Sequence, residues 1–123
     1  MKFRVARHTN NLKAITTFYT GVLGLKILGS FKDHDTYSGV FLGVQGLDWH
    51  LEFTTSNDAP AHQPDEDDLL VFYADSQYHY NKLLQRFSDN NIPSVTAKNP
   101  YWNVNGTTYL DPDGFRIVIA FIK

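Results

Sequence analysis

The chain has 123 residues, of which 42% are hydrophobic and 15% aromatic, a composition typical of a folded domain. Its 11 basic and 13 acidic side chains give a formal charge of −2, which argues against nucleic-acid or anionic-membrane binding. The absence of cysteine excludes disulfides, thiolate nucleophiles and thiolate metal sites. No stretch is apolar enough for a signal peptide or a membrane-spanning helix, so we expect a cytoplasmic protein.

The first half of the sequence predicts one strand, one helix and three further strands. Residues 3–8 alternate as a strand does, and the polar residues 9–11 suit a helix N-terminus. An apolar helical face follows, formed by Leu12, Ile15, Phe18, Tyr19 and Val22. Residues 25–31, 36–44 and 48–55 are then predicted as strands.

The second half repeats this order after an acidic segment. Residues 57–68 hold two prolines and five acidic side chains, and we interpret them as an exposed linker. Residues 69–74 are predicted as a strand, and Asp75 or Ser76 begins a helix. Its apolar face consists of Tyr80, Leu83, Leu84 and Phe87. The last three predicted strands are 92–96, 106–110 and 115–122, and Tyr101 and Trp102 lie in the loop between the first two.

An internal repeat is the main feature of this pattern. A shift of about 65 residues takes Arg4 to Leu69, and one of about 66 takes Glu52 to Val118. We therefore predict an α+β fold made of two tandem βαβββ modules. Residues 1–123 would form one domain, with module one at about 1–56, the linker at about 57–68 and module two at about 69–123.

Several short motifs resemble the vicinal oxygen chelate superfamily. They are Phe18-Tyr19, Leu23-Gly24-Leu25, His50-Leu51-Glu52-Phe53 and Asp111-Pro112-Asp113-Gly114-Phe115-Arg116. The superfamily includes glyoxalase I, extradiol dioxygenases, fosfomycin-resistance enzymes and bleomycin-resistance proteins. The resemblance covers the whole chain. It implies curved mixed sheets that form a cup, helices on the convex side, and a homodimer.

The resemblance also assigns the metal-ligand positions. Metal-dependent members bind a divalent ion through the first and last strands of each module. The corresponding positions here are Arg4, Glu52, Leu69 and Val118. Arginine, leucine and valine offer no lone pair to a metal, so Glu52 is the single ligand type left. We therefore expect no cofactor, and a divalent metal is not favoured.

Arg4 and Glu52 occupy neighbouring ligand positions of the same module. If both face the cup, we expect a buried bidentate ion pair in place of the metal charge. Two interpretations stay open. The pair is structural, or Arg4 binds an anionic group of a ligand while Glu52 orients the guanidinium.

His50 is a further candidate because a His-x-Glu strand places both side chains on one face. It could act as a general base with Glu52, or share a displaced metal site with His8 and Glu52, or be a structural histidine. Tyr101 and Trp102 either seal an interface or cover the cup. The remaining ligand-binding candidates are Tyr73, Thr108 and Arg116.

Two functions follow from this sequence. The first is a metal-independent small-molecule-binding protein of the glyoxalase/bleomycin-resistance type, with its ligand held in the cup near Arg4 and Glu52. The alternative is a lyase, isomerase or dioxygenase of the same superfamily, with a nonstandard metal or acid–base site at His50 and Glu52. The missing ligand types favour binding over catalysis.

Overall fold

The computed structural model describes residues 1–121. They form two units, Met1–His62 and a second unit that starts at Gln63. No helix within these residues combines the length and the hydropathy that a membrane span requires.

The first unit is a four-stranded mixed sheet with one helical segment. Its elements are β1 (Phe3–His8), α1 (Leu12–Thr17), β2 (Lys26–His34), β3 (Tyr37–Gly43) and β4 (Trp49–Thr55). The strand order is β1-β4-β3-β2, in which β1 runs parallel to β4 and the other pairs are antiparallel. All four predicted strands are therefore present: β1 has the predicted ends, and the ends of the other three differ by up to three residues.

The helical segment of this unit departs from the regular helix that the sequence predicts. Asn11 begins α1, and its side-chain oxygen accepts a hydrogen bond from the Ala14 amide at 3.0 Å. After Thr17 the backbone continues as a π-helical turn, Phe18–Val22. The wider turn buries Phe18 and Tyr19 side by side, and the Tyr19 ring lies 4.9 Å from that of Phe53 in β4. This contact defines the core face of the first sheet.

The second unit repeats the strand pairing of the first. Its elements are β5 (Leu69–Ala74), α2 (Gln77–Asp89), α3 (Tyr101–Asn105), β6 (Gly106–Leu110) and β7 (Arg116–Phe121). The strand order β5-β7-β6 reproduces β1-β4-β3, again with a parallel first pair. Arg4 lies opposite His50 in the first unit, and Leu69 lies opposite Arg116 in the second. The matching register confirms two βαβββ-like modules.

Two predictions for the second module are wrong. Residues 92–96 form no strand, and a single bridge joins Val95 to Thr108 instead. Pro93 donates no amide hydrogen, which weakens any ladder at that point. Tyr101 and Trp102 lie in the short helix α3 rather than in a loop. A helix of five residues is too short to show a helical period in the sequence. Ile122, the end of the last predicted strand, lies outside the described residues.

The core of the second unit is an aromatic stack between α2 and β6. The rings of Phe87 and Tyr109 are stacked with their centroids 3.8 Å apart, and both residues are buried. Burial raises the pKa of Tyr109 above its usual value of 10.0, and a smaller contribution comes from the charge that Tyr80 acquires when it ionises. The folded protein therefore keeps a proton that the unfolded chain releases.

This raised pKa predicts a loss of stability in alkali. The contribution of Tyr109 is fully present below about pH 10 and is lost as the pH rises through the folded-state pKa. We expect the unfolding free energy from urea titrations to fall as the pH rises above about 10, and to fall less in Tyr109→Phe. Tyr78→Phe, on the exposed face of α2, is the matched control. If the unfolding free energy falls equally steeply with pH in Tyr109→Phe and in wild type, the prediction is contradicted.

Candidate functional site

The candidate site lies on the face of the first sheet that points away from α1. Side chains alternate along each strand. Phe53 therefore lies on the core face of the sheet, and Arg4, His50 and Glu52 lie on the opposite face. Phe41 of β3 pairs with Glu52 and therefore lies on that second face as well. Three strands thus contribute one cluster of charged and aromatic side chains.

Arg4 is the centre of this cluster. Its Nε donates a hydrogen bond to Nε2 of His50 at 2.8 Å, and its Nη1 lies 3.4 Å from Oε1 of Glu52. Its Cζ lies 4.7 Å from the centroid of the Phe41 ring. The Arg4 side chain is 49% exposed, whereas that of Glu52 is 15% exposed. The guanidinium is therefore held on three sides and still accessible to solvent.

The buried bidentate Arg4–Glu52 pair expected from the sequence is therefore wrong in two respects. Arg4 divides its donors between two partners, because His50 lies directly opposite it and Glu52 lies two residues further along β4. Arg4 is also half exposed, so water screens the pair. The proximity of the two side chains agrees with the expectation, but the bidentate geometry and the depth of burial do not.

The Arg4 contact also determines the role of His50. An arginine Nε always carries a hydrogen, so Nε2 of His50 must be the acceptor and the imidazole proton lies on Nδ1. The neutral imidazole adds no charge, and the charges of Arg4 and Glu52 cancel. The cluster is therefore close to neutral, with its positive end exposed.

An apolar aromatic surface adjoins the cluster. The Phe41 ring lies 5.8 Å from that of Phe31 and 5.8 Å from the His50 imidazole. Glycines make room for these rings: a Cβ on Gly39 would lie 2.5 Å from the Phe31 ring, and one on Gly29 would lie 3.3 Å from Phe41. The two phenylalanines thus lie across the sheet beside Arg4. Phe41 is not among the site residues predicted from sequence, although alternation along residues 36–44 places it on this face.

A displaced metal site at His8, His50 and Glu52 does not form. The two ring nitrogens of His8 lie 2.7 Å from the Thr54 hydroxyl and 3.0 Å from the Ser56 hydroxyl. Within residues 1–121, no three side chains of the metal-binding types cluster as a metal site requires. At the metal-ligand positions implied by the resemblance, Arg4, Leu69 and Val118 supply no lone pair that could coordinate a metal, so these residues do not fit a divalent ion.

The second module carries the other predicted site residues. Tyr73 pairs with Ala120 and Thr108 pairs with Val118, so both lie on the same face of their sheet as Arg116. The Arg116 side chain is 14% exposed; its Nη1 donates to the Thr96 carbonyl at 3.1 Å, and its Nη2 lies 3.5 Å from Oε2 of Glu66. Both partners belong to the second unit. Glu66 is not among the residues predicted from sequence, because it lies in the acidic linker.

Thr108 and the two aromatic candidates differ in accessibility. Thr108 is 2% exposed, and its hydroxyl has no hydrogen-bond partner within residues 1–121. Tyr101 is exposed on α3, and its ring meets that of Trp102 edge-on at 4.9 Å. The structure thus joins Arg4, His50 and Glu52 in one cluster and places the remaining candidates in the second unit.

The exposure of Arg4 predicts a weak ion pair. In a double-mutant cycle with Arg4→Met and Glu52→Gln, we expect a coupling free energy of at most about 1 kcal/mol in urea unfolding, because water competes for the guanidinium. A coupling of about 3–5 kcal/mol is characteristic of a buried pair and would show that the site is closed in solution.

The donor set predicts that the protein does not hold a divalent metal tightly. We expect calorimetric titration of untagged protein with Zn²⁺, Ni²⁺, Mn²⁺ or Fe²⁺ to show no stoichiometric tight binding, because one carboxylate does not make a site. Glu52→Ala is the control. Tight stoichiometric binding that this variant abolishes would contradict the prediction.

Comparison with known proteins agrees with this architecture. A YycE-like N-terminal domain family matches residues 3–54, and a YycE-like C-terminal domain family matches residues 67–121. The YycE protein of Bacillus subtilis strain 168 is 39% identical over 123 residues, which are 99% of this chain and 88% of that protein. A crystal structure of a YycE protein of unknown function from Bacillus subtilis is 38% identical with a TM-score of 0.88, covering 99% of this chain and 90% of that one.

More distant structures show the same fold. Glyoxalase I of Leishmania major is 21% identical with a TM-score of 0.73, over 96% of this chain and 84% of that one. TnmS3, an antibiotic binding protein of Streptomyces sp. CB03234, is 16% identical with a TM-score of 0.74, over 100% of this chain and 96% of that one. The resemblance to the vicinal oxygen chelate superfamily is therefore confirmed, and the chain belongs to the YycE-like family within the glyoxalase, fosfomycin-resistance and bleomycin-resistance fold.

Proposed function

We propose that this protein is a metal-independent small-molecule-binding protein whose ligand lies against the first sheet beside Arg4 and Glu52. The observation that carries the proposal is the 49% exposed side chain of Arg4. The superfamily resemblance implies a metal ligand at this position. Arginine has five N–H donors, and two of them are used within residues 1–121. The remaining donors are available to an acceptor on a ligand.

The geometry supports binding rather than acid–base catalysis at His50 and Glu52. A general base needs a free lone pair within reach of the substrate proton. The lone pair of His50 Nε2 already accepts the Arg4 hydrogen at 2.8 Å, and the Glu52 carboxylate faces the same guanidinium. Both groups orient Arg4, which makes the guanidinium a rigid recognition element.

The surroundings of Arg4 support an organic ligand. Small-molecule sites combine an apolar surface with a few fixed polar groups. Phe31 and Phe41 supply the apolar surface, and Arg4 supplies directed donors. That the related fold of TnmS3 belongs to an antibiotic binding protein agrees with such a role.

The other predicted features stay predictions. They are the ligand contacts of Tyr73, Tyr101, Trp102, Thr108 and Arg116, and the homodimer. Substitution of the first five in the assay below, and sedimentation analysis of the purified protein, test them separately.

A thermal-shift screen against metabolites and antibiotics, with and without divalent metals, tests the proposal. We expect ligands that raise the midpoint without added metal and bind Arg4→Met at least about tenfold more weakly, because a charge-assisted hydrogen bond is lost. Lys98→Met is the matched control, since it removes an exposed charge that pairs with Asp67 in the second unit. Ligands that shift wild type and Arg4→Met equally would reject the assignment of Arg4.

A further inference from the structure

The guanidinium of Arg4 is partly exposed and keeps N–H groups that no residue within 1–121 uses. Its Cζ lies over the Phe41 ring, 4.7 Å from the ring centroid. His50 and Glu52 contact Nε and Nη1. The side chain is 49% exposed, and Nη2 is left for a ligand.

Three partners fix the orientation of this plane. A hydrogen bond, an ion pair and an aromatic ring restrain Arg4 together, so little side-chain entropy remains to be lost when a ligand binds. A flat, delocalised cation is attracted to the face of an aromatic ring, and arginine also stacks on such rings. The exposed guanidinium is therefore suited to a second planar π-system beside the Phe41 ring.

The charge of the site limits how much negative charge the ligand carries. Glu52 cancels the charge of Arg4 from 3.4 Å, and its carboxylate would repel a dianion bound to the same guanidinium. The two N–H groups of Nη2 can satisfy one carboxylate or carbonyl. A neutral or singly charged acceptor matches the site better than a phosphate does.

We infer that the ligand of this site is a planar aromatic molecule with one carboxylate or carbonyl acceptor, whose ring stacks on the exposed guanidinium of Arg4 and whose acceptor binds Nη2. The inference rests on the proposed function and narrows it to a chemical class. In this inference the ligand recognises the planar shape of the guanidinium as well as its charge. The contributions of shape and charge to binding can be separated by experiment.

A matched pair of carboxylates tests the stacking. Both 2-naphthoate and decahydro-2-naphthoate carry one carboxylate on a two-ring body, but one of them has a π-face. We expect 2-naphthoate to bind about three- to tenfold more tightly in NMR titrations, because the ring–guanidinium attraction is added to a common carboxylate contact. The Nε–Hε signal of Arg4 should move upfield with 2-naphthoate, as a ring current requires, and not with the saturated probe.

Two variants separate this inference from the proposed function. Arg4→Lys keeps the charge but removes the plane, and we expect it to bind both carboxylates equally. Arg4→Met removes both properties and should weaken both probes. Equal binding of the two probes to wild type, tighter binding of inorganic phosphate, or no binding of 2-naphthoate at millimolar concentration each overturns the inference. If Arg4→Met still weakens the binding of ligands found in the thermal-shift screen, the proposed function stands even when this inference fails.

Discussion

The parallel pairing of β1 with β4 is the constraint on which the candidate site depends. It places Arg4 opposite His50 and leaves Glu52 two residues further along the same face. Because side chains alternate along a strand, a slip of one residue would turn Arg4 towards α1 and the buried Phe53. The apolar core on one face of the sheet therefore fixes the polar cluster on the other.

The second module keeps the pairing and changes the chemistry. Arg116 occupies in β7 the position that His50 occupies in β4, opposite Leu69 instead of Arg4. Its side chain is 14% exposed and contacts Glu66 and the Thr96 carbonyl. Arg4 also has two polar partners, but its side chain is 49% exposed. The two arginines thus differ in accessibility because their neighbours differ.

Local signals in the sequence explain what could be predicted. Alternation is visible in β4, where buried Leu51 and Phe53 lie between half-buried residues. The side chains of Asn11 and Ser76 accept amide hydrogens at the helix starts, as such residues do at N-caps. The π-helical turn Phe18–Val22 and the five-residue helix α3 carry no comparable signal. The division of the Arg4 donors could not be predicted, because it depends on the strand register and on Phe41 from a third strand.

An arginine at a position where the superfamily resemblance implies a metal ligand offers different chemistry from a metal ion. A divalent ion polarises oxygen atoms and lowers the pKa of bound water, whereas a guanidinium offers fixed hydrogen bonds and a flat face. Glu52, the ligand type that remains, then orients Arg4 and neutralises it. His50 completes the restraint by accepting the Nε hydrogen. Glu52 and His50 thus restrain one cation, and the N–H groups of Arg4 that they leave unused are the basis of the proposed binding site.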